Sequence, residues 1–432
     1  MKLRNADYRT RLLDQRVSEL LESFGAVEIV GSMWSGKTWM ADAHGNSKIS
    51  LATRSIKELV EADLSLAFEG EHPHVIDEWQ EVPALWDEAR ARIDDAGSKK
   101  GLYILTGSSA PAKEKVFHSG TGRIARVHMR PMGLFELGES DGSVSLSGLF
   151  ENIFTPSRAS QIGSLRQIAH YICKGGWPGL LMLRPEAALR VPSQYLDTLI
   201  SSSSERSRFD EHRLRRLLYA LARNLGQAVT YKTLANDMVE GNIEAKHEII
   251  NNRQIEKMLS HFKSRFLIED IRGWDAPLLS RSRVRLSPKR SFVDPSLPAA
   301  LLGVNEERLL ENSQIFGKLF EELCFRELRI LVSAMDSALP DSVKYYCDSD
   351  NLEVDAIIEL RDGRWAAIEI KLGESKVKQA QENLLRLKAK IASSPLAKNR
   401  EPSFMAVLVA KAEFCRRTPE GVYVIPINCL GK

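Results

Sequence analysis

Cysteine is scarce and unpatterned: five residues in a chain of 432, none spaced as Cys-x-x-Cys. Cys173, Cys324, Cys347, Cys415 and Cys429 therefore suggest neither a disulfide framework nor a zinc knuckle, and a reducing cytoplasm is the expected location. Net charge is also nearly missing, since Lys+Arg 60 against Asp+Glu 57 leaves +3. A case for nucleic acid must then come from local basic clusters. No stretch of about 18 apolar residues occurs and the N-terminus runs into a charged segment, so neither a membrane span nor a secretion signal is expected. Gly 27 and Pro 17 are too few for a collagen-like or disordered chain. The nine histidines are dispersed and form no ligand pattern.

What is present is an ordinary globular composition, 43% hydrophobic and 27% charged. At roughly 150 residues per domain the length predicts two to four domains. Apolar runs at Ala26–Val30, His74–Ile76 and Leu102–Leu105 alternate with helical patterns, as in a mostly parallel α/β sheet.

The first run leads into Gly31-Ser32-Met33-Trp34-Ser35-Gly36-Lys37-Thr38, a full G-x-x-x-x-G-K-[ST] match between a strand and a helix. In such a loop the glycines let backbone N–H groups close around phosphates. Gly31, Ser35, Gly36, Lys37 and Thr38 become nucleotide ligands, with Lys37 on the β and γ oxygens and the Thr38 hydroxyl on Mg²⁺. Asp77 and Glu78 end the second run as adjacent carboxylates; Asp77 would hold the metal and Glu78 would orient or deprotonate the attacking water. Thr106 and Ser108 end the third run, where a polar sensor of the γ-phosphate belongs. Arg123, Arg126 and Arg130 follow; Arg123 and Arg126 are candidate arginine fingers for a neighbouring subunit, against the plainer reading of a solvated face.

These segments resemble bacterial AAA-type ATP-binding proteins whose C-terminal half is a domain of unassigned function. The resemblance is carried by Gly31–Thr38, Asp77-Glu78-Trp79-Gln80, Leu105–Ser108, His118–Arg123, Gly175-Gly176-Trp177-Pro178-Gly179, Phe292–Leu297, Glu353-Val354-Asp355 and Glu369-Ile370-Lys371. It spans nearly the whole chain and implies ATP and Mg²⁺ as ligands. Trp39 departs from it, because small or hydroxylated residues usually follow the loop threonine.

Farther on, the four serines Ser201–Ser204 read as a linker. Three helices are expected between Arg213 and Leu267, the second starting after a Thr230 cap and the third burying Ile255, Leu259 and Phe262. Six basic residues then fall between Arg272 and Arg290 against one acid, Asp275. Arg281, Arg283 and Arg285 alternate, so a strand there would point three guanidinium groups at phosphates. This is the pattern of a winged helix contacting DNA, and the plainer alternative is a protein-contact module.

In the C-terminal part, Val354–Glu359 and Trp365–Lys371 form a hairpin. A two-residue loop would turn Asp355 away from Glu369; the three-residue loop Arg361-Asp362-Gly363, with Gly363 left-handed, would set Asp355 opposite Glu369 and beside Lys371. Asp355 with Glu369-x-Lys371, and Glu321 on the preceding helix, resembles the PD-(D/E)XK nuclease core. That resemblance implies a second divalent metal at Glu321, Asp355 and Glu369, and a catalytic Lys371. The plainer readings are a solvated charged hairpin or a lapsed nuclease fold.

The expected architecture is α/β: an AAA-type P-loop NTPase domain over 1–160, a helical lid and linker over 161–205, a winged-helix-like domain over 206–290 and a restriction-endonuclease-like domain over 291–432. The expected function is an ATPase acting on nucleic acid, DNA being the expected partner, with a metal-dependent nuclease site. The alternative is a nucleotide-switched scaffold for protein partners or for its own copies. A metabolic kinase is disfavoured, because no small-molecule acceptor site is evident.

Overall fold

The structure, a computed structural model, describes residues 3, 6–109, 120–159, 163–207, 209–239, 250–276 and 287–432. Two compact units result: residues 1–132 with 177–181 and 262–267, and residues 133–176, 182–261 and 268–432. Arg281, Arg283 and Arg285 lie outside the described residues, as does the stretch 110–119.

In the first unit β1 (Ala26–Val30), β2 (Ser47–Ser50), β3 (His74–Asp77), β4 (Tyr103–Gly107) and β5 (Ile124–His128) form one parallel sheet in the order β2-β3-β4-β1-β5. The inner strands β1, β3 and β4 are buried at every residue, as parallel strands covered on both faces must be. Helices cover both faces: Val17, Met40 and Ala41 pack with Val27, Ile29 and Ile104, while Leu85, Ala89 and Ile93 pack with Ala26, Ile76 and Leu105. Ligand-binding loops in such sheets gather at the carboxyl ends of the strands, and the P-loop, Asp77 and Thr106 all lie there.

The second unit holds β6 (Val144–Ser145), β7 (Ser157–Arg158), β8 (Ile268–Ile271), β9 (Lys289–Phe292), β10 (Ala338–Cys347), β11 (Glu353–Leu360), β12 (Trp365–Lys371), β13 (Phe404–Val409), β14 (Phe414–Arg417), β15 (Val422–Pro426) and β16 (Leu430–Gly431). Seven of these form a mixed sheet in the order β10-β11-β12-β13-β15-β14-β7. Leu384, Leu387 and Ile391 of the helix Val377–Ala392 pack on Val354, Ile357, Val407 and Val424 of that sheet. The 21-residue helix Ser313–Ser333 is buried along most of its length. Helices Glu211–Arg223, Tyr231–Val239 and Asn252–Ser264 precede the antiparallel pair β8 and β9, and Thr230 Oγ1 caps the second by accepting from Thr233 N at 3.1 Å.

Two expectations are corrected. Ser201–Ser204 are no linker but part of the helix Val191–Ser207. The weak helix propensity of serine is overridden because Tyr195, Leu196, Leu199 and Ile200 bury one face, and Ser202 Oγ bonds back to Leu199 O at 3.1 Å. Two of the six basic residues assigned to a wing are buried instead. Arg290 donates to Val229 O at 2.9 Å and stacks on the Tyr231 ring, while Lys289 is 3% exposed among carboxylates.

All five cysteines are buried and free. Among the described residues no helix is long and apolar enough to cross a membrane.

Candidate functional site

Strand β1 delivers the chain into the loop, and Gly31 is required there by close approach: a Cβ on it would stand 2.0 Å from the Met129 carbonyl. Gly36 takes φ 95 immediately before the helix Lys37–His44, a left-handed turn that glycine adopts at little cost. The Lys37 ammonium is buried and donates to Ser32 O at 2.8 Å, and Ser35 Oγ donates to the same carbonyl at 2.9 Å. Burial pushes the Lys37 pKa down to about 8, with Glu78 and Asp77 acting in the opposite direction. An incoming anion restores the favourable environment of that charge.

The acidic pair is wired to both neighbouring strands. Asp77 Oδ1 accepts from Thr38 Oγ1 at 2.9 Å and from Thr106 Oγ1 at 2.5 Å, and Asp77 Oδ2 accepts from Ser50 Oγ at 3.1 Å. Thr38 and Asp77 thus form an oxygen-donor pair suited to Mg²⁺. Glu78 sits left-handed at φ 57, ψ 43, a strained conformation of the kind that persists at functional sites. Its Oε2 accepts from Ser108 Oγ at 2.9 Å and from Gln80 Nε2. Thr106 and Ser108 therefore hold the two carboxylates, each by one bond.

Arg123 and Arg126 are engaged within their own chain. Arg123 Nε bonds Asp94 at 2.8 Å; Arg126 Nε bonds the buried Glu28 at 2.6 Å, and Trp79 Nε1 reaches the other oxygen of Glu28 at 3.2 Å. Burial raises the Glu28 pKa and Arg126 draws it back. Sequence reasoning missed Arg11, which is 5% exposed and donates to Ser35 O at 3.0 Å and to Arg130 O at 2.8 Å. It braces the P-loop against the end of β5. Its partners are carbonyls 24 and 119 residues away, and no local motif signals them.

In the second unit the hairpin β11–β12 takes the three-residue loop. Glu359 pairs with Trp365 and Ala356 with Ile368, and Gly363 is left-handed at φ 80. Continued by one residue, this register sets Asp355 opposite Glu369. On its other side β11 slips by one residue against β10 between the Lys344 and Tyr346 pairings, a bulge at Asp355 and Ala356. Asp355 Oδ2 accepts from Ile370 N at 2.7 Å and from Lys371 Nζ at 2.9 Å. Lys371 Nζ also lies 2.5 Å from Glu369 Oε2, and Asn383 Nδ2 donates to Glu369 Oε1 at 3.2 Å.

Lys289 from β9 pairs with Glu353 at 2.7 Å and lies 3.8 Å from Glu321 Oε1. That oxygen is buried and has no hydrogen-bond partner. Burial, then the charge of Asp355, pushes the carboxyls of Glu321 and Glu369 each up to about 8. Asp355 stays below the usual carboxylate range: burial opposes this, and Lys371 and the Ile370 amide outweigh it. Among the described residues no group of three or more His, Cys, Asp or Glu is arranged to hold a metal. The reason at this cluster is that the Lys371 ammonium stands between Asp355 and Glu369 and supplies the positive charge itself.

Residues 23–138 match the AAA domain family. Two further families, both described as domains of unknown function, match residues 165–308 (DUF8612) and 316–430 (DUF4143). With the loop, Lys37 and the wired acidic pair, the matched segment is an ATP-binding, AAA-type P-loop ATPase domain, a class that takes ATP and usually Mg²⁺. Among solved structures, a Walker-type ATPase of Pyrococcus abyssi is 16% identical, with 70% of this chain and 98% of that chain covered at a TM-score of 0.44. The ORC1 protein of Aeropyrum pernix in complex with DNA is 12% identical, covering 67% and 91% at a TM-score of 0.22. No curated protein matches the chain.

Proposed function

We propose that this protein is an ATP-dependent enzyme acting on nucleic acid, its C-terminal hairpin carrying a divalent-metal phosphodiester-cutting site. The observation that supports this most is the placement of Asp355, Glu369 and Lys371 around one point of the hairpin, with Glu321 Oε1, which accepts no hydrogen bond, on the preceding helix. Carboxylate oxygens are the donor type a hard divalent cation takes, although here Lys371 stands between two of them. Asp355 and Glu369, with Glu321 as the further donor, would hold it, and the cation would polarise the phosphoryl oxygen and lower the pKa of a bound water. Lys371, with its carboxylate partners taken by a cation, would be available to the phosphate or the attacking water. Asn383 holds Glu369 in place.

In the first unit Thr38 and Asp77 would hold Mg²⁺, Lys37 would meet the β and γ phosphates, and Glu78, steadied by Ser108 and Gln80, would position water for hydrolysis. The three helices with β8 and β9 support a winged-helix reading, in which Arg281, Arg283 and Arg285 contact DNA phosphates. Removing each of these arginines should then flatten the slope of log K against log[salt] by about one unit.

The deciding experiment is DNA cleavage with Mg²⁺ or Mn²⁺. The parent should cut, and Lys371→Ala should lose cutting while retaining ATPase activity. One observation favours a second reading, a nucleotide-switched scaffold: Lys371 already pairs with both carboxylates in place of a metal cation. A parent that neither binds DNA at low salt nor cuts it selects the scaffold.

A further inference from the structure

Seven tryptophans occur in the chain, and five are buried: Trp79 and Trp177 at 1%, Trp86 at 7%, Trp274 and Trp365 at 2% exposure. The other two are Trp34, 55% exposed, and Trp39, 43% exposed. Both belong to the phosphate-binding element, one inside the loop and one in the first turn of the helix behind it. An indole is usually well buried, so leaving two open at one ligand site calls for a physical reason.

Backbone geometry narrows that reason. Trp34 is held at φ 64, where a bulky side chain is seldom found outside functional loops. Trp39 is the third residue of the helix Lys37–His44, and helical side chains lean toward the N-terminus, here the end that binds phosphate. Of its neighbours in that turn, Lys37 is buried against Ser32 and Thr38 is bonded to Asp77. Trp39 is thus the exposed side chain among the first three residues of that helix. A triphosphate seated on the loop N–H groups carries its ribose and base out of the loop mouth.

We propose that Trp34 and Trp39 form an aromatic pair that receives the base of the bound nucleotide, Trp39 by stacking on it and Trp34 as the loop-side wall. Stacking on an indole favours the broad flat face of a purine, so the pair sets preference for purine over pyrimidine nucleotides and adds affinity that the phosphates alone do not provide.

The test is calorimetry on the full chain with two probes, MgATP and magnesium tripolyphosphate, which has no base. Tripolyphosphate binding by the parent is the control for the loop itself. Trp39→Ala should weaken MgATP about five- to a hundredfold, the range a base–aromatic stack yields, and leave tripolyphosphate unchanged. Trp34→Ala should behave alike, and Trp39→Phe should retain most of the MgATP affinity. Equal loss of both probes would show that the indoles shape the loop, and loss of neither would put the base elsewhere; each result overturns the proposal. So would unchanged MgATP binding together with lost self-association in sedimentation, which would assign the indoles to a contact between copies.

Discussion

Arg326→Met should be among the most damaging single changes in the second unit, and its cost follows from the local wiring. Arg326 donates to Asp294 Oδ2 at 2.7 Å and to Glu327 Oε1 at 3.0 and 2.7 Å, with side-chain exposures of 1% for Arg326, 0% for Asp294 and 5% for Glu327. The carboxylates are committed elsewhere too: Asp294 accepts from Gly176 N at 2.9 Å and from Ser296 N and Oγ, while Glu327 Oε2 accepts from Leu134 N at 2.7 Å. Methionine fills most of the volume but leaves two buried carboxylates without a cation, a loss of about 3–5 kcal/mol. Burial already raises the Glu327 pKa against the pull of Arg326, and the variant removes that pull. A carboxyl whose folded pKa exceeds its unfolded one favours folding while protonated, and that contribution fades as pH rises through the folded value. The damage should therefore be greater near pH 8 than near pH 5, roughly neutral against mildly acidic relative to a raised carboxyl. Amide hydrogen exchange along the helix Ser313–Ser333 reads it locally. A loss below about 1 kcal/mol, or one equal at both pH values, would refute the view that this triad is a charge-critical node.

Lys37→Ala should abolish MgATP binding by calorimetry, whereas Glu78→Gln should keep ATP bound and slow phosphate release, since an amide cannot accept the proton. Arg11→Met removes two donors that brace the P-loop and should weaken ATP by about tenfold, the scale of one charge-assisted bond, with little change in the fold by circular dichroism. Without metal, the stability of the second unit should fall as pH rises toward about 8, because Glu321 and Glu369 hold protons there that the unfolded chain has already released. Millimolar Mn²⁺ should flatten that slope in a thermal-shift series, and a slope unaffected by Mn²⁺ would favour the scaffold.

Strands β1, β3 and β4 were legible because buried parallel strands are continuous apolar runs, and the phosphate loop fixed where one of them ends. Strand β2 is Ser-Lys-Ile-Ser and β5 includes Arg126 and His128, both at sheet edges where apolar periodicity is weak, so composition hid them. The hairpin was legible only as two registers. Which one forms depends on the left-handed Gly363, and the bulge at Asp355 comes from the pairing of β11 with β10, a strand outside the hairpin whose register no motif in the hairpin signals. Lys289 looked like one more basic residue of a wing; burial against Glu353 and the Tyr345 ring gives it another role.

That role bears on which of the two readings the C-terminal cluster obeys. Glu321, Asp355 and Glu369 are three largely buried carboxylates served by two ammonium groups, Lys289 and Lys371, while the half-exposed Glu353 draws on Lys289 as well. Charge balance thus leaves at least one negative charge to be met by a proton or by a cation. A proton suffices for a scaffold, and the raised Glu321 and Glu369 carboxyls are where it would sit. A divalent cation would displace that proton and free Lys371 from Glu369. Lys289→Met separates the cases: by deepening the negative charge it should raise Mn²⁺ affinity if the cluster is a metal site. If the cluster is a scaffold, it should raise the proton affinity of Glu321 alone, seen as a steeper loss of stability with rising pH and no Mn²⁺ binding by calorimetry.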